Sequence, residues 1–139
     1  MFQITKKITF QTNGKDLLEI TPKIVDFVNY SQIKNGIINI SILHTSASLL
    51  IQENADQMVK KDILKYFDKI CPESKEYFHN QEGPDDMPAH LKTILTQTNL
   101  TLSVIEKKIV LGIWQGIFIF EHRKLYSQRD LLLHIIGET

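Results

Sequence analysis

The chain opens on an alternation. Phe2, Ile4, Ile8 and Phe10 fall on one side of an extended backbone, and Gln3, Thr5, Lys7 and Thr9 on the other. That period of two predicts a half-buried β-strand. Asn13-Gly14 is a turn signal before the apolar segment 17–20, so a β-hairpin is expected here. Thr21-Pro22 predicts a helix start, with Thr21 as N-cap and Pro22 at the first helical position. Ile24, Val25, Phe27 and Val28 supply its apolar face, and Asn35-Gly36 its end. The β-branched run IINISIL, 37–43, reads as a strand leading into His44, with a further short strand over 48–51.

Asn54 or Asp56 can cap the next helix, which runs to about Ile70 on a stripe of Ala55, Val59, Ile63, Tyr66, Phe67 and Ile70. Pro72 stops it. Gly83, Pro84 and Pro88 exclude regular structure over most of 79–90, and Pro88 fits the first turn of a helix reaching Leu95. Strands follow at 99–105, 109–120 and 130–136, with Glu106-Lys107-Lys108 as a hairpin turn and Trp114 as a core residue. The order ββ-α-ββ-α-(loop)-α-βββ predicts an α+β fold: a single compact domain, 1–139, with a largely antiparallel sheet and two to three helices.

Composition agrees and adds exclusions. A length of 139 residues fits one domain, and 42% hydrophobic with 23% charged residues is a globular balance. The formal net charge is zero, which removes the electrostatic ground for a nucleic-acid or acidic-membrane partner. No stretch approaches the roughly 18 apolar residues a membrane helix needs, and the N-terminal segment lacks the apolar run of a signal peptide. A single cysteine, Cys71, forms no intrachain disulfide. It reads as a small packing residue in a reducing, cytoplasmic protein.

Candidate chemistry gathers in few places. HTSASLLIQENAD, 44–56, sets a histidine and three hydroxyls at a strand boundary, then Glu53, Asn54 and Asp56. Of the five histidines, His134 alternates with Leu133 and Ile135 and reads as the polar face of a strand. His122, after Glu121, reads equally as a surface or a site residue. His44, His79 and His90 each sit at the boundary of a regular element, where scaffolds present functional groups. The loop 79–90 adds Glu82, Asp85 and Asp86, and imidazoles with carboxylates are the usual donors to a divalent transition metal. Their spacing matches no zinc signature, and a solvated acidic loop explains them equally. A metal-free alternative uses imidazole as acid-base beside an anion held by Thr45, Ser46 and backbone N–H groups. Either Asn54 or Asp56 caps a helix and Glu53 sits in solvent, or Glu53 and Asn54 lie beside His44. Glu121, after the run IFIF, stands at a strand end near the same pocket.

Together HTSASLLIQENAD, H-x-x-EGPDDMPAHL, LGIWQGIFIFEHR and LLLHIIGE resemble the YjbQ-like family, whose members carry the label secondary thiamine-phosphate synthase enzyme. The resemblance spans nearly the whole chain. It implies a compact α+β domain associating as a homotrimer. It also implies a transferase that joins a pyrimidine diphosphate to a thiazole phosphate. The family's motif residues fall on His44, Glu53, Asn54, Asp56, His79, Asp85, Asp86, His90, Trp114, Gln115 and Glu121. The expected catalytic set is therefore His44, Glu53, Asn54, Gln115 and Glu121, with Thr45, Ser46 and Trp114 binding a phosphorylated small molecule. The expected ligands of a divalent metal, zinc or magnesium, are His44, His79, His90 and Asp86. The alternative is a non-catalytic trimer that binds metal or phosphate. Ile113 replaces the threonine usual in the Trp-Gln motif, and EHRKLYSQR resembles a subgroup in which Arg123 or Arg129 is the candidate substrate-binding arginine.

Overall fold

In the computed structural model, which describes residues 1–139, the apolar runs sort into two antiparallel sheets and three helices. The elements are β1 (Phe2–Asn13), β2 (Asp16–Glu19), α1 (Thr21–Ser31), β3 (Asn35–Ile42), β4 (Ala47–Glu53), α2 (Gln57–Ile70), α3 (Asp86–Leu95), β5 (Asn99–Ile105), β6 (Lys108–Ile109), β7 (Gln115–Glu121) and β8 (Tyr126–Glu138). The larger sheet has the order β1-β8-β3-β5-β6 and the smaller β2-β7-β4. This is the α+β fold expected, with its strands divided between two layers.

Side-chain alternation sets the layers. Leu131, Leu133 and Ile135 of β8 and Ile38, Ile40 and Ile42 of β3 turn inward. They meet Ile24, Phe27 and Val28, which share one face of α1 at helical spacing. From the smaller sheet Leu49, Ile117 and Ile119 complete this core. The other side chains of β7, Phe118 and Phe120, face away from it. They pack with Leu17 against Ile63, Leu64 and Phe67 of α2. Phe67 meets the Phe120 ring edge-on at 5.1 Å between centroids. The smaller sheet is thus covered on both faces, which is why IFIF shows no polar alternation.

The strand crossing of β3 and β8 is close. Gly36 and Gly137 are register partners, and a Cβ on Gly36 would lie 2.1 Å from the Ile136 carbonyl oxygen. Only glycine fits there.

Several sequence expectations fail where the chain changes sheets. The hairpin at Asn13-Gly14 does not form: β1 pairs with β8 and β2 with β7, and Gly14, at φ 91°, turns the chain from one sheet to the other. The strand expected over 109–120 is broken. β6 ends at the edge of the larger sheet, and a Gly112–Gln115 turn redirects the chain into β7 of the smaller one. Trp114 lies in that turn and is 61% exposed, so it is not a core residue. Thr21 is not an N-cap, because its hydroxyl accepts the Ile117 N–H at 2.8 Å. α1 ends at Ser31, with Gln32 in the left-handed region, and Asn35-Gly36 opens β3 instead. On α2, Tyr66 and Ile70 are exposed although they belong to the apolar stripe. No helix is long and apolar enough to cross a membrane.

Candidate metal centre

α3 begins at Asp86, and Asp86 and His90 stand four residues apart, one turn above the other on one helix face. His79 reaches the same point from the loop before the helix. Asp86 Oδ2 lies 2.6 Å from His79 Nε2 and 3.1 Å from His90 Nε2. The three ligand atoms lie within 4.8 Å of one another, with Asp86 buried and both imidazoles partly exposed. Glu82 flanks them, 3.3 Å from His79 Nε2.

The surroundings fix this arrangement. His90 Nδ1 lies 2.8 Å from the Thr45 carbonyl oxygen. A carbonyl only accepts, so Nδ1 carries the proton and donates it. Nε2, the other ring nitrogen, faces the carboxylate oxygen of Asp86. A proton or a metal ion bridges such a nitrogen and carboxylate oxygen, and a carbonyl on the far nitrogen is the usual support of a metal-bound histidine. On the other side Arg123 spans both aspartates. Its Nη1 donates to Asp86 Oδ1 at 2.5 Å, its Nε to Asp85 Oδ2 at 3.1 Å, and its Nη2 to the Glu82 carbonyl at 2.9 Å. Burial alone would raise the Asp86 carboxyl, but the His79 hydrogen bond and the Arg123 and His90 charges outweigh it and hold the group below its ordinary range. Asp85 behaves likewise: burial is offset by the Lys124 N–H and by Arg123. Gly83, at φ 104°, provides the backbone turn that brings Glu82 over Arg123.

His44 is not part of this cluster. Its Nε2 accepts the backbone N–H of Asp130 at 2.8 Å, so its neutral lone pair is already engaged. Burial first, then the Arg129 charge, lowers its pKa. The HTSAS segment reaches the centre through the Thr45 carbonyl and not through His44.

The remaining expected residues separate to the two ends of β4. Near its start, buried Glu121 receives Arg129 in a two-pronged pair at 2.6 and 2.6 Å. The Thr12 hydroxyl and the His122 and Arg123 N–H groups also donate to it. Arg129 continues to the Ser46 carbonyl and hydroxyl. Glu121 thus anchors the segment that presents His122 and Arg123. At the far end of β4, about 20 Å away at strand rise, Glu53 accepts the Ala55 and Asp56 N–H groups. Asp56 caps α2 through the Met58 N–H. Asn54 donates to Glu19, and Gln115 accepts the Gly112 N–H. Glu53 and Asn54 line a cavity of about 280 Å³ with Asp16, Glu19 and Lys60. They do not lie beside His44.

Two residues read as open or neutral in the sequence prove central. Arg123 clamps Asp85 and Asp86 beside the candidate centre. His122 is buried, its Nε2 2.8 Å from the Ser48 hydroxyl. The sequence signals for the centre were the boundary positions of His79 and His90 and the carboxylates of the loop 79–90; the four-residue step from Asp86 to His90 on one helix face comes from the structure.

The sequence model of the family described as UPF0047 protein YjbQ-like matches residues 6–138. A UPF0047 protein of Synechocystis is 41% identical over 133 residues, covering 95% of this chain and 90% of the relative. The UPF0047 protein YjbQ of Salmonella typhimurium is 35% identical, covering 96% and 97%. Among solved structures, a protein of unknown function from Sulfolobus solfataricus P2 superposes with a TM-score of 0.86 at 26% identity, covering 99% of this chain and 100% of that one. An uncharacterised conserved protein from Clostridium acetobutylicum gives 0.84 at 29%, covering 96% and 99%. These names state a family and no reaction.

Proposed function

The chain belongs to the UPF0047 protein YjbQ-like family, and from that premise we propose that it is a divalent-metal enzyme acting on a phosphorylated small molecule, with His79, Asp86 and His90 as the metal ligands. The observation that carries this reading is the convergence of the His79, Asp86 and His90 donor atoms within 4.8 Å of one another, with the His90 ring held from behind by the Thr45 carbonyl. Two imidazoles and one carboxylate suit zinc, since magnesium prefers oxygen donors and keeps its waters. A bound ion supplies positive charge for phosphate oxygens and for a departing diphosphate.

The protein's own groups do the rest. Arg123 keeps Asp86 ionised and oriented, and the Thr45 carbonyl holds the His90 ring. Glu82, largely exposed beside His79, is placed to take or give a proton at the rim. A cavity of about 370 Å³ adjoins His90 and is lined by Thr45, Thr93, Thr96 and Thr98, whose polar, uncharged wall suits the organic part of a substrate. Joining a pyrimidine diphosphate to a thiazole phosphate is the reaction within this class that the resemblance implies. Association as a homotrimer belongs to the same reading. It is supported by Ile37, Leu43 and Leu132, apolar residues exposed on or beside β3 and β8 of the larger sheet.

Elemental analysis of the untagged protein is the test. About one zinc per chain, retained through gel filtration and lost in His90→Ala, supports the reading. Absence of metal after zinc loading overturns it. Metal-loaded protein that releases no diphosphate from the two thiamine precursors removes that specific reaction and leaves other phosphorylated substrates for the same assay.

A further inference from the structure

A second cavity, of about 300 Å³, lies between the C-terminal end of α2, the middle of α3 and the segment after β7. Its volume is at the lower end of the roughly 300–1,000 Å³ usual for small-molecule sites. Lys15, Lys92, Lys124, Asp68, Glu73 and His122 supply its polar wall.

Two buried groups in this wall have hydrogen-bonding capacity left over. His122 is 1% exposed, and its Nδ1 is the one buried side-chain nitrogen or oxygen in the molecule without a hydrogen bond. Its other nitrogen is taken by Ser48, which the Thr96 hydroxyl meets in turn at 2.6 Å. Burial, reinforced by the Lys92 and Arg129 charges, lowers its pKa to about 3, so the ring is neutral. Leaving such a nitrogen bare costs stability. Lys92 is the second group. Its side chain is 5% exposed, and its ammonium has a single acceptor, Asp68 Oδ1, at 2.6 Å. An ammonium carries three donors, so two of them have no protein acceptor.

The charge around them leans positive. Asp68 is shared between Lys92 and Lys15, and Glu73 pairs with Lys124. Asp85 also lines the cavity, but its carboxylate is committed to Arg123 and the Lys124 N–H. Three ammonium groups therefore face two available carboxylates, with unfilled donors on the most buried of the three.

We propose that this cavity is a second, metal-independent site that binds a phosphate group, either the free ion or the end of a phosphomonoester, through Lys92, Lys15 and His122. It stands on observations separate from the metal centre.

Calorimetric titration of inorganic phosphate into the full-length protein tests it, with His90→Ala run in parallel to remove phosphate held by a metal. Binding that persists in His90→Ala and weakens roughly tenfold or more in Lys92→Met, the worth of one hydrogen bond to a charged group, supports the site. Lys15→Gln, at a part-exposed position, weakens it less and serves if Lys92→Met does not fold. The nitrogen NMR signal of His122 Nδ1 shifts on phosphate addition. Glycerol phosphate that binds as well as the ion identifies an ester end, and glycerol phosphate that fails identifies the free ion. Absence of binding at millimolar phosphate, binding unchanged in both lysine variants, or binding abolished in His90→Ala overturns the proposal.

Discussion

The Nδ1 atom of His90 donates to the main-chain carbonyl of Thr45 across 45 residues of sequence, at 2.8 Å. The contact belongs to the backbone of residue 45, so the side chain there is dispensable for metal retention. Thr45→Ala is expected to keep its metal, whereas His79→Ala and His90→Ala each lose it, with unchanged far-ultraviolet circular dichroism. Metal content after dialysis reads all three. Loss in Thr45→Ala would show that the hydroxyl, and not the carbonyl, is the working group.

His44 gives the contrasting expectation. Its lone pair meets the Asp130 N–H, so His44→Ala is expected to retain metal and to lose about 1 kcal/mol of stability, the worth of one hydrogen bond. Urea melts and elemental analysis on one preparation separate the two effects. Metal loss with unaltered stability would return His44 to the ligand set.

Arg123 offers a graded test. Arg123→Met leaves Asp85 and Asp86 side by side without their cation. Stability is expected to drop by about 3–5 kcal/mol in the metal-free protein, and metal affinity by about 10–100-fold through loss of orientation. A zinc-chelator competition titration gives the second figure. Affinity equal to wild type would mean that the clamp serves the fold alone.

Acid should weaken the protein earlier than its carboxylates explain. The folded pKa of His122 is about 3 against an ordinary 6.5. The unfolded chain therefore binds a proton there that the folded one refuses. The advantage of the neutral ring is complete above pH 6.5 and is lost as pH falls from 6.5 toward 3. Between pH 7 and 4.5 that amounts to about 3 kcal/mol. His44, lowered as well, acts in the same direction. Asp85 and Asp86, whose pKa values are depressed, contribute stability that is lost only below about pH 4. The urea midpoint should fall across this window in wild type and stay flatter in His122→Asn. Parallel curves would place the acid sensitivity elsewhere.

Phe120 joins the smaller sheet to α2. Phe120→Ala should cost about 3–5 kcal/mol and release α2, seen as faster amide exchange in residues 57–70. Uniform destabilisation without faster exchange in α2 would mean that the helix is held by its ends.

Periodicity was enough to identify most elements. The alternation from Phe2 to Phe10, the stripe Ile24-Phe27-Val28 and the turn at Glu106-Lys107 each depend on neighbours in sequence, and each stands in the structure. Sheet membership depends on partners distant in sequence, from about 60 residues for β7 with β4 to more than 100 for β1 with β8. Asn13-Gly14 and Gly112–Gln115 therefore read as a hairpin and a continuous strand, although each is a crossing between sheets. The candidate site divides in the same way. Asp86 and His90 were legible together as donor types in one segment, and the helix that aligns them is seen in the structure. Lys92, two residues on, carries no signal in the sequence, because the Asp68 that meets it comes from α2. His44 was expected among the ligands with His79 and His90, and nothing local showed that the Asp130 N–H would occupy its ring nitrogen.

The long ladder between β1 and β8, with Phe2 opposite Gly137, also sets an order of events during synthesis. β1 leaves the ribosome first and has no partner until β8 follows, and β3 likewise waits for that strand along one edge. Contacts this distant in sequence make for slow closure. His79, Asp86 and His90 are all translated before Arg123 and before the strand that seals the sheet. A nascent chain therefore exposes metal donors while its hydrophobic edges are still open, the interval in which β-rich intermediates aggregate. Cells short of chaperone capacity should accumulate this protein as insoluble material in proportion to how slowly its last strand is delivered.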